Sequence, residues 1–515
     1  LGNKLPFKLR VKGSIALLLV VSIGLGFLLA INNRIKPAGT TNVANLTDQP
    51  SLTKFVTQKL VWTACYGTFQ CAKVTVPLDY RHPNASTITL AVTRTLAKDQ
   101  KHRLGSLLVN PGGPGGSGID YVLAADFIAT KQILARYDLV GFDPRGVARS
   151  TPIHCLTDSE TDRLIALDGT PTTPAQVQGL MDAAKTMADL CKVRAGRMLP
   201  FIGSVNVARD MDLLRAVLGD QKLNYLGKSY GTLIGAIYAD LFPKRVGHLV
   251  LDGAIDPTVP NSEMNLDQAR GFQIALGDYV TDCLKHQTCP GGNTRTAVLG
   301  RISKLLADTD TVPLPSKSGR VATQSLVLLG IVSTLYDSLG GWPSLTLALK
   351  QAYAGDSQGL LDLADYYVDR DANGHYTTNS NDIGYAVNCI DKDSRETIAQ
   401  MQADAKAMAE VAPNFGAYLA WGLAPCDFWS TPPAPYPAPI RAKGAGPILV
   451  VGTTHDPATP YRWAQGLAHQ LQSGVLLTYE GEGHTAYMRG SSCIDQAVDA
   501  YFLVGKPPAV GTICR

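Results

Sequence analysis

Short apolar runs and amphipathic stretches alternate over residues 55–250 of this 515-residue chain. The β-prone runs at residues 71–78, 87–94, 106–109, 137–143 and 223–226, and around Val250, read as strands, and residues 210–217 as a helix between two of them. Between about 255 and 440 the alternation is lost. Segments 272–283, 297–306, 324–338, 344–354 and 396–411 read as helices joined by Pro-, Gly- and Asn-rich turns. Strand patterns resume at 447–452 and 475–479, and a terminal helix is expected over about 494–503. Alternating strands and helices predict an α/β sheet domain. The helical stretch then reads as an insertion between the sixth and seventh sheet strands, because the sheet has to resume after it.

The amino end follows another pattern. Lys4, Lys8, Arg10 and Lys12 precede an uncharged run over 13–33 whose apolar heart is 15–31, long enough for one membrane span. The basic flank favours a cytoplasmic amino terminus. Residues 1–36 are therefore expected to be a membrane anchor, with a cleaved signal segment as the alternative. Residues 37–54 read as a spacer, 55–254 as the first part of a core, 255–440 as a cap and 441–515 as the rest of the core. Without residues 1–36 the formal net charge changes from +4 to −2, so the basic balance is no argument for nucleic acid.

Ten cysteines, even in number and without metal-binding spacing, suit disulfides formed outside the cytoplasm. Connectivity is open at this level. Nearest-neighbour pairing is expected: Cys65–Cys71, Cys155–Cys191, Cys283–Cys289, Cys389–Cys426 and Cys493–Cys514.

The chemistry concentrates at Gly227-Lys228-Ser229-Tyr230-Gly231, which fits the G-x-S-x-G nucleophile elbow, with a strand pattern before it and a helical one after it. Upstream, the strand at 106–109 runs into Asn110-Pro111-Gly112-Gly113-Pro114-Gly115-Gly116-Ser117-Gly118. Such a loop supplies backbone N–H groups to a developing oxyanion. The Gly113 N–H, with Gly112 as the near alternative, and the Tyr230 N–H are the expected donors. A phosphate loop is the rival reading, but no Lys-Ser/Thr follows. After the strand at 447–452 comes Asp456, and after that at 475–479 comes His484, the order Ser…Asp…His of this fold. His455 competes as the base and Asp252 as the acid. The remaining histidines are scattered, and neither a metal site nor a cofactor is expected.

These separated motifs together resemble the secreted tripeptidyl and prolyl aminopeptidases of actinobacteria, the TAP-like serine peptidases. They are GKSYGT at 227–232, NPGGPGGSG at 110–118, GFDPRG at 141–146, DPATP at 456–460 and Gly483-His484. Residues 71–80 (CAKVTVPLDY) and the ending around Cys493 and Cys514 are similar as well. The resemblance covers about residues 55–515. It implies an α/β-hydrolase fold with a large, mainly helical cap inserted before the catalytic acid. It also implies Ser229, Asp456 and His484 as triad, Gly113 and Tyr230 as oxyanion hole, and a peptide with a free N-terminus as substrate. Asn388 and Asp391 are the expected ligands of the substrate amine, with Asp427 and Glu263 in reserve. Pro111 stands where proline iminopeptidases of the wider group carry histidine. Two alternatives share the chain's features: a carboxylic-ester hydrolase using the same triad, and a binding module of the cell envelope. The expected location is the outer face of the cell membrane, or the cell envelope and medium if the first segment is cleaved. The oligomeric state is not legible.

Overall fold

The computed structural model describes residues 50–286, 289–393, 395–436 and 438–515. Its strands are β1 (Thr63–Cys65), β2 (Phe69–Pro77), β3 (Thr87–Thr95), β4 (Gly105–Asn110), β5 (Tyr137–Phe142), β6 (Leu223–Lys228) and β7 (Val246–Asp252). They continue as β8 (Leu314–Pro315), β9 (Val321–Ala322), β10 (Ile448–His455), β11 (Gly474–Glu482) and β12 (Ile513–Cys514). All but the β8–β9 pair lie in one sheet, ordered β1-β2-β3-β5-β4-β6-β7-β10-β11-β12. It is antiparallel from β1 to β5 and parallel beyond.

The central strands are mostly apolar and buried along nearly their whole length because both faces are covered. Leu108, Val140, Tyr225, Leu249, Leu251 and Val450 pack on one face with the helices Ser204–Val217 and Tyr230–Leu241. Leu107, Val109, Leu139, Leu226, Val250 and Val451 pack on the other with Lys131–Arg136 and Ser492–Val504. Neighbouring residues of one strand thus serve opposite cores, as the period-2 geometry requires.

Between β7 and β10 the chain forms the helices Asn261–Lys285, Arg295–Thr311, Gln324–Leu335, Gly341–Tyr353, Gln358–Tyr367, Ser380–Asp391 and Ile398–Val411. The first five build an apolar core of their own around Leu276, Val298, Ile302, Ile331, Leu345 and Leu360, while Ser380–Asp391 packs Ile383, Val387 and Ile390 into the sheet core. This is an α/β-hydrolase fold with a helical cap inserted before the strand that leads to Asp456. The cap also takes a second segment. Pro174–Ala195, a helix between β5 and β6, packs Val177, Met181 and Ala184 against Ala269, Met401 and Trp421. The five disulfides are those of nearest-neighbour pairing.

The expected membrane attachment is corrected. Among the described residues no helix is long and apolar enough to cross a membrane. The anchor expectation fell on residues 1–36, which lie outside the described residues.

The GFDPRG motif has a structural task. Arg145 is buried and donates to Asp210 through Nε and Nη2, each at 2.7 Å, and to the carbonyls of Leu78, Phe201 and Pro77. Tyr80 of the CAKVTVPLDY segment donates to the same carboxylate at 2.6 Å. One ion pair thus ties two motifs to the helix Ser204–Val217. Arg145→Leu strands a buried carboxylate and is expected to cost about 3–5 kcal/mol of stability. The shift of the urea midpoint measures it, and an unmoved midpoint would deny the bridge this role.

Candidate active site

Ser229 links β6 to the helix Tyr230–Leu241 with φ 54° and ψ −127°, a conformation that costs a non-glycine residue energy and persists only when the surroundings enforce it. Its N–H donates to the Asp252 carbonyl at 2.9 Å, and its carbonyl accepts from Thr232 N at 2.8 Å and Thr232 Oγ1 at 2.6 Å. The turn closes only over glycine. A Cβ at Gly227 would lie 2.5 Å from the Gly231 carbonyl, and one at Gly231 would lie 2.7 Å from Asn110 Oδ1.

The glycine-rich loop after β4 lies against this turn. Gly112 has φ +95°, and a Cβ there would sit 2.9 Å from both Ser229 Cβ and Tyr230 N. The Gly112 N–H is already given to Asn110 Oδ1 at 2.9 Å. That bond engages the Gly112 N–H within the loop itself. Tyr230 opens its helix, where N–H groups lack intrahelical acceptors and the helix end carries partial positive charge. The loop is held from behind by Asp143, which accepts from Ser117 Oγ at 2.5 Å and from Ile119 N at 3.2 Å.

Asp456 and His484 meet directly. His484 Nδ1 lies 2.9 Å from both Asp456 oxygens. The carboxylate also accepts from Ala458 N at 2.9 Å, Thr459 N at 2.8 Å, Thr459 Oγ1 at 3.0 Å and Thr485 N at 3.2 Å. These donors fix the orientation of the carboxylate. His484 Nε2 is buried and has no hydrogen-bond partner among the described residues. The ring sits beside Gly253, where a Cβ would be 3.3 Å from His484 Cε1, next in sequence to the Asp252 carbonyl that holds Ser229. Tyr336 of the cap packs edge-on against the imidazole at 5.3 Å between centroids, and its carbonyl accepts from His484 N at 2.9 Å.

The rivals have other work. Asp252 accepts from Ala486 N at 2.9 Å and Tyr487 N at 3.0 Å, and Lys228 Nζ stands 3.6 Å away while donating to the Tyr487 carbonyl at 2.6 Å. Asp252 and Lys228 therefore brace the loop after His484, and burial pushes the Lys228 ammonium below its usual range. His455 pairs with Asp278 at 2.9 Å on a half-exposed surface.

A cavity of about 750 Å³ opens beside His484, between the core and the cap, with Pro111, Lys228, Tyr336, Leu363, Tyr366 and Met488 among its walls. The expected amine ligands do not line it. Asp391 is buried and accepts from Ser204 N at 2.8 Å, from Ser204 Oγ and from Tyr230 OH at 3.3 Å. Asn388 lies exposed on the same helix. Asp427 accepts from Glu396 N at 2.8 Å, and Glu263 pairs with Arg462 at 2.6 Å. The carboxylates lining the cavity are Asp337 and Asp362. Asn110 and Thr459 carry a local signal, in the motifs at 110–118 and 456–460, but not these roles; Tyr336 carries none.

Residues 412–514, which hold Asp456 and His484, match the family model described as TAP-like protein. The chain is 40% identical over 480 residues to serine protease Hip1 of Mycobacterium tuberculosis, covering 89% of this chain and 91% of that one. Carboxylesterase B of the same organism is 39% identical over 456 residues, covering 87% and 86%. Tripeptidyl aminopeptidase of Streptomyces lividans is 33% identical over 459 residues, covering 86% and 83%.

Proposed function

We infer an activity from one premise: the chain belongs to the TAP-like family of α/β-hydrolase serine peptidases. It is a serine hydrolase, and it acts as an exopeptidase that cleaves peptide bonds near a free amino terminus. The observation that carries this reading is Asp456 holding Nδ1 of His484 with both oxygens, which leaves Nε2 unspent beside the cavity.

In the mechanism, Ser229 Oγ attacks the scissile carbonyl carbon while His484 Nε2 takes its proton. The negative oxygen of the tetrahedral intermediate accepts from the N–H groups of Gly113 and Tyr230. As the C–N bond breaks, His484 returns the proton to the leaving amine. Water then attacks the acyl-enzyme, with His484 again as base, and frees Ser229. Asp456 stabilises the imidazolium and holds its orientation throughout. Tyr336 shields the imidazole from the cap side. Five disulfides fit a compartment outside the cytoplasm, secreted or in the cell envelope.

A substrate ammonium near neutral pH calls for a carboxylate, and in the cavity this role falls to Asp362 and Asp337 instead of Asp391. Asp337 stands 3.5 Å from the Arg489 cation, whereas Asp362 accepts from the neutral Gln358 amide at 2.7 Å, so Asp362 carries the larger share. The test compares kcat/KM for free and N-acetylated peptides in wild type and Asp362→Asn. Wild type is expected to prefer the free amine, and the variant to lose about 10–100-fold on free-amine peptides alone. Equal rates on both peptide classes in wild type would sink the exopeptidase reading. The 39% identity to a carboxylesterase favours an ester hydrolase as second reading. Turnover of p-nitrophenyl acyl esters with none of any peptide would select it.

A further inference from the structure

One cap helix touches both arms of the oxyanion hole. The first turn of Ser380–Asp391 lies against the glycine-rich loop. A Cβ at Gly115 would sit 3.0 Å from the Cα and carbonyl oxygen of Ser380, and 3.1 Å from Ile383 Cβ. Glycine there lets helix and loop meet without a spacer. The last residue of the same helix, Asp391, reaches Tyr230, whose backbone N–H is the other proposed donor. Tyr230 OH lies 2.5 Å from Ser204 Oγ and 3.3 Å from Asp391 Oδ2. Asp391 also caps the helix Ser204–Val217 through Ser204 N at 2.8 Å, since the N-cap position there is Gly203 and offers no side chain. A Cβ at Gly203 would fall 2.9 Å from Asp391 Oδ1, so this approach too needs glycine.

The helix is itself held at several points. Asn379 donates to the Gly146 and Ile153 carbonyls at 2.8 and 2.7 Å and accepts from Ala148 N at 2.9 Å. Asp382 accepts from Cys155 N at 2.8 Å, and Cys389 is bonded to Cys426.

We propose that the helix Ser380–Asp391 is the brace of the oxyanion hole, with Asp391 as the positioning residue that fixes Tyr230. This rests on the catalytic reading above and adds a route by which the cap sets the rate of the chemical step. Asp391 reaches no substrate atom; it acts through the Tyr230 side chain. Three donors converge on it, so its accepting, ionised form is the bracing one. Burial pushes the Asp391 carboxyl up to about 6, opposed by its bonds to Ser204 and Tyr230 and by the Lys392 charge. Tyr436 is the remaining titratable group that feels its charge. As pH falls through about 6 the carboxyl gains a proton, gives up an acceptor site, and the brace loosens.

The test uses p-nitrophenyl acetate, which has no amine to recognise, with wild type, Ser229→Ala, Tyr230→Phe and Asp391→Asn. Tyr230→Phe keeps the backbone donor and removes only the hydroxyl. Tyr230→Phe and Asp391→Asn are expected to lower kcat about tenfold with KM within about twofold, a fraction of the 10²–10³ lost when an oxyanion donor is deleted. The wild-type advantage over Asp391→Asn should shrink below pH 6. A kcat within about twofold of wild type in folded Tyr230→Phe, with Ser229→Ala inactive, would overturn the brace. Ester turnover surviving in Ser229→Ala would overturn the catalytic reading beneath it.

Discussion

Asp456→Asn is expected to lower kcat about 10⁴-fold with little change in KM, the loss typical of a triad whose histidine is held in the wrong tautomer. The wild-type carboxylate accepts from five donors: His484 Nδ1, three backbone N–H groups and the Thr459 hydroxyl. An amide in its place turns an NH₂ towards one of them. If the backbone donors keep the amide oxygen, that NH₂ faces Nδ1, and the imidazole proton moves to Nε2. There it can no longer take the Ser229 proton. Asp252→Asn gives the opposite signature. Asp252 holds the Ala486 and Tyr487 amides and neutralises buried Lys228, so its loss falls on folding. About 3 kcal/mol of stability is expected to go, with kcat of the folded fraction within about tenfold of wild type. Steady-state rates and urea midpoints of the two variants separate the roles. A large kcat loss in Asp252→Asn and a small one in Asp456→Asn would exchange the assignments.

The parts of this site legible in the sequence are those whose chemistry is local. The elbow needs small residues on either side of a strained serine, and Gly227 and Gly231 record that need within five positions. The acid and the histidine each follow an apolar strand, so sheet pattern and chain order point to them. Disulfide partners could be paired by proximity along the chain because each bond closes a short excursion, 6 to 37 residues in length. What the sequence could not carry is long-range burial. Asp391 looked like an amine ligand because it is polar and lies near a cysteine. Its partners Ser204 and Tyr230 are 187 and 161 residues away, and only folding turns it inward. Tyr336 reads as one more aromatic of an amphipathic helix; its contact with His484 depends on how the cap settles on the sheet. The helix Pro174–Ala195 lies between two core strands, where the sheet pattern gives it no obvious partner. The strands β1 and β12 are three and two residues long, too short to show a period.

Ser229→Ala is expected to reduce kcat about 10⁶-fold, to the level that binding and the oxyanion hole supply without a nucleophile. The fold should persist. The serine is stabilised through its backbone, by Asp252 and Thr232, and those bonds survive the substitution. Alanine at φ 54° remains strained, so a modest loss of stability is expected, and circular dichroism would register an intact fold. The alkoxide attack at Ser229 is the central claim, and the covalent adduct is its direct trace. The deciding measurement is to label the wild-type protein and Ser229→Ala with a fluorophosphonate and map the modified peptide by mass spectrometry. A single adduct on Ser229, absent from the folded variant, is the expected result. Labelling that persists in Ser229→Ala, or an adduct mapped to another serine, would contradict it.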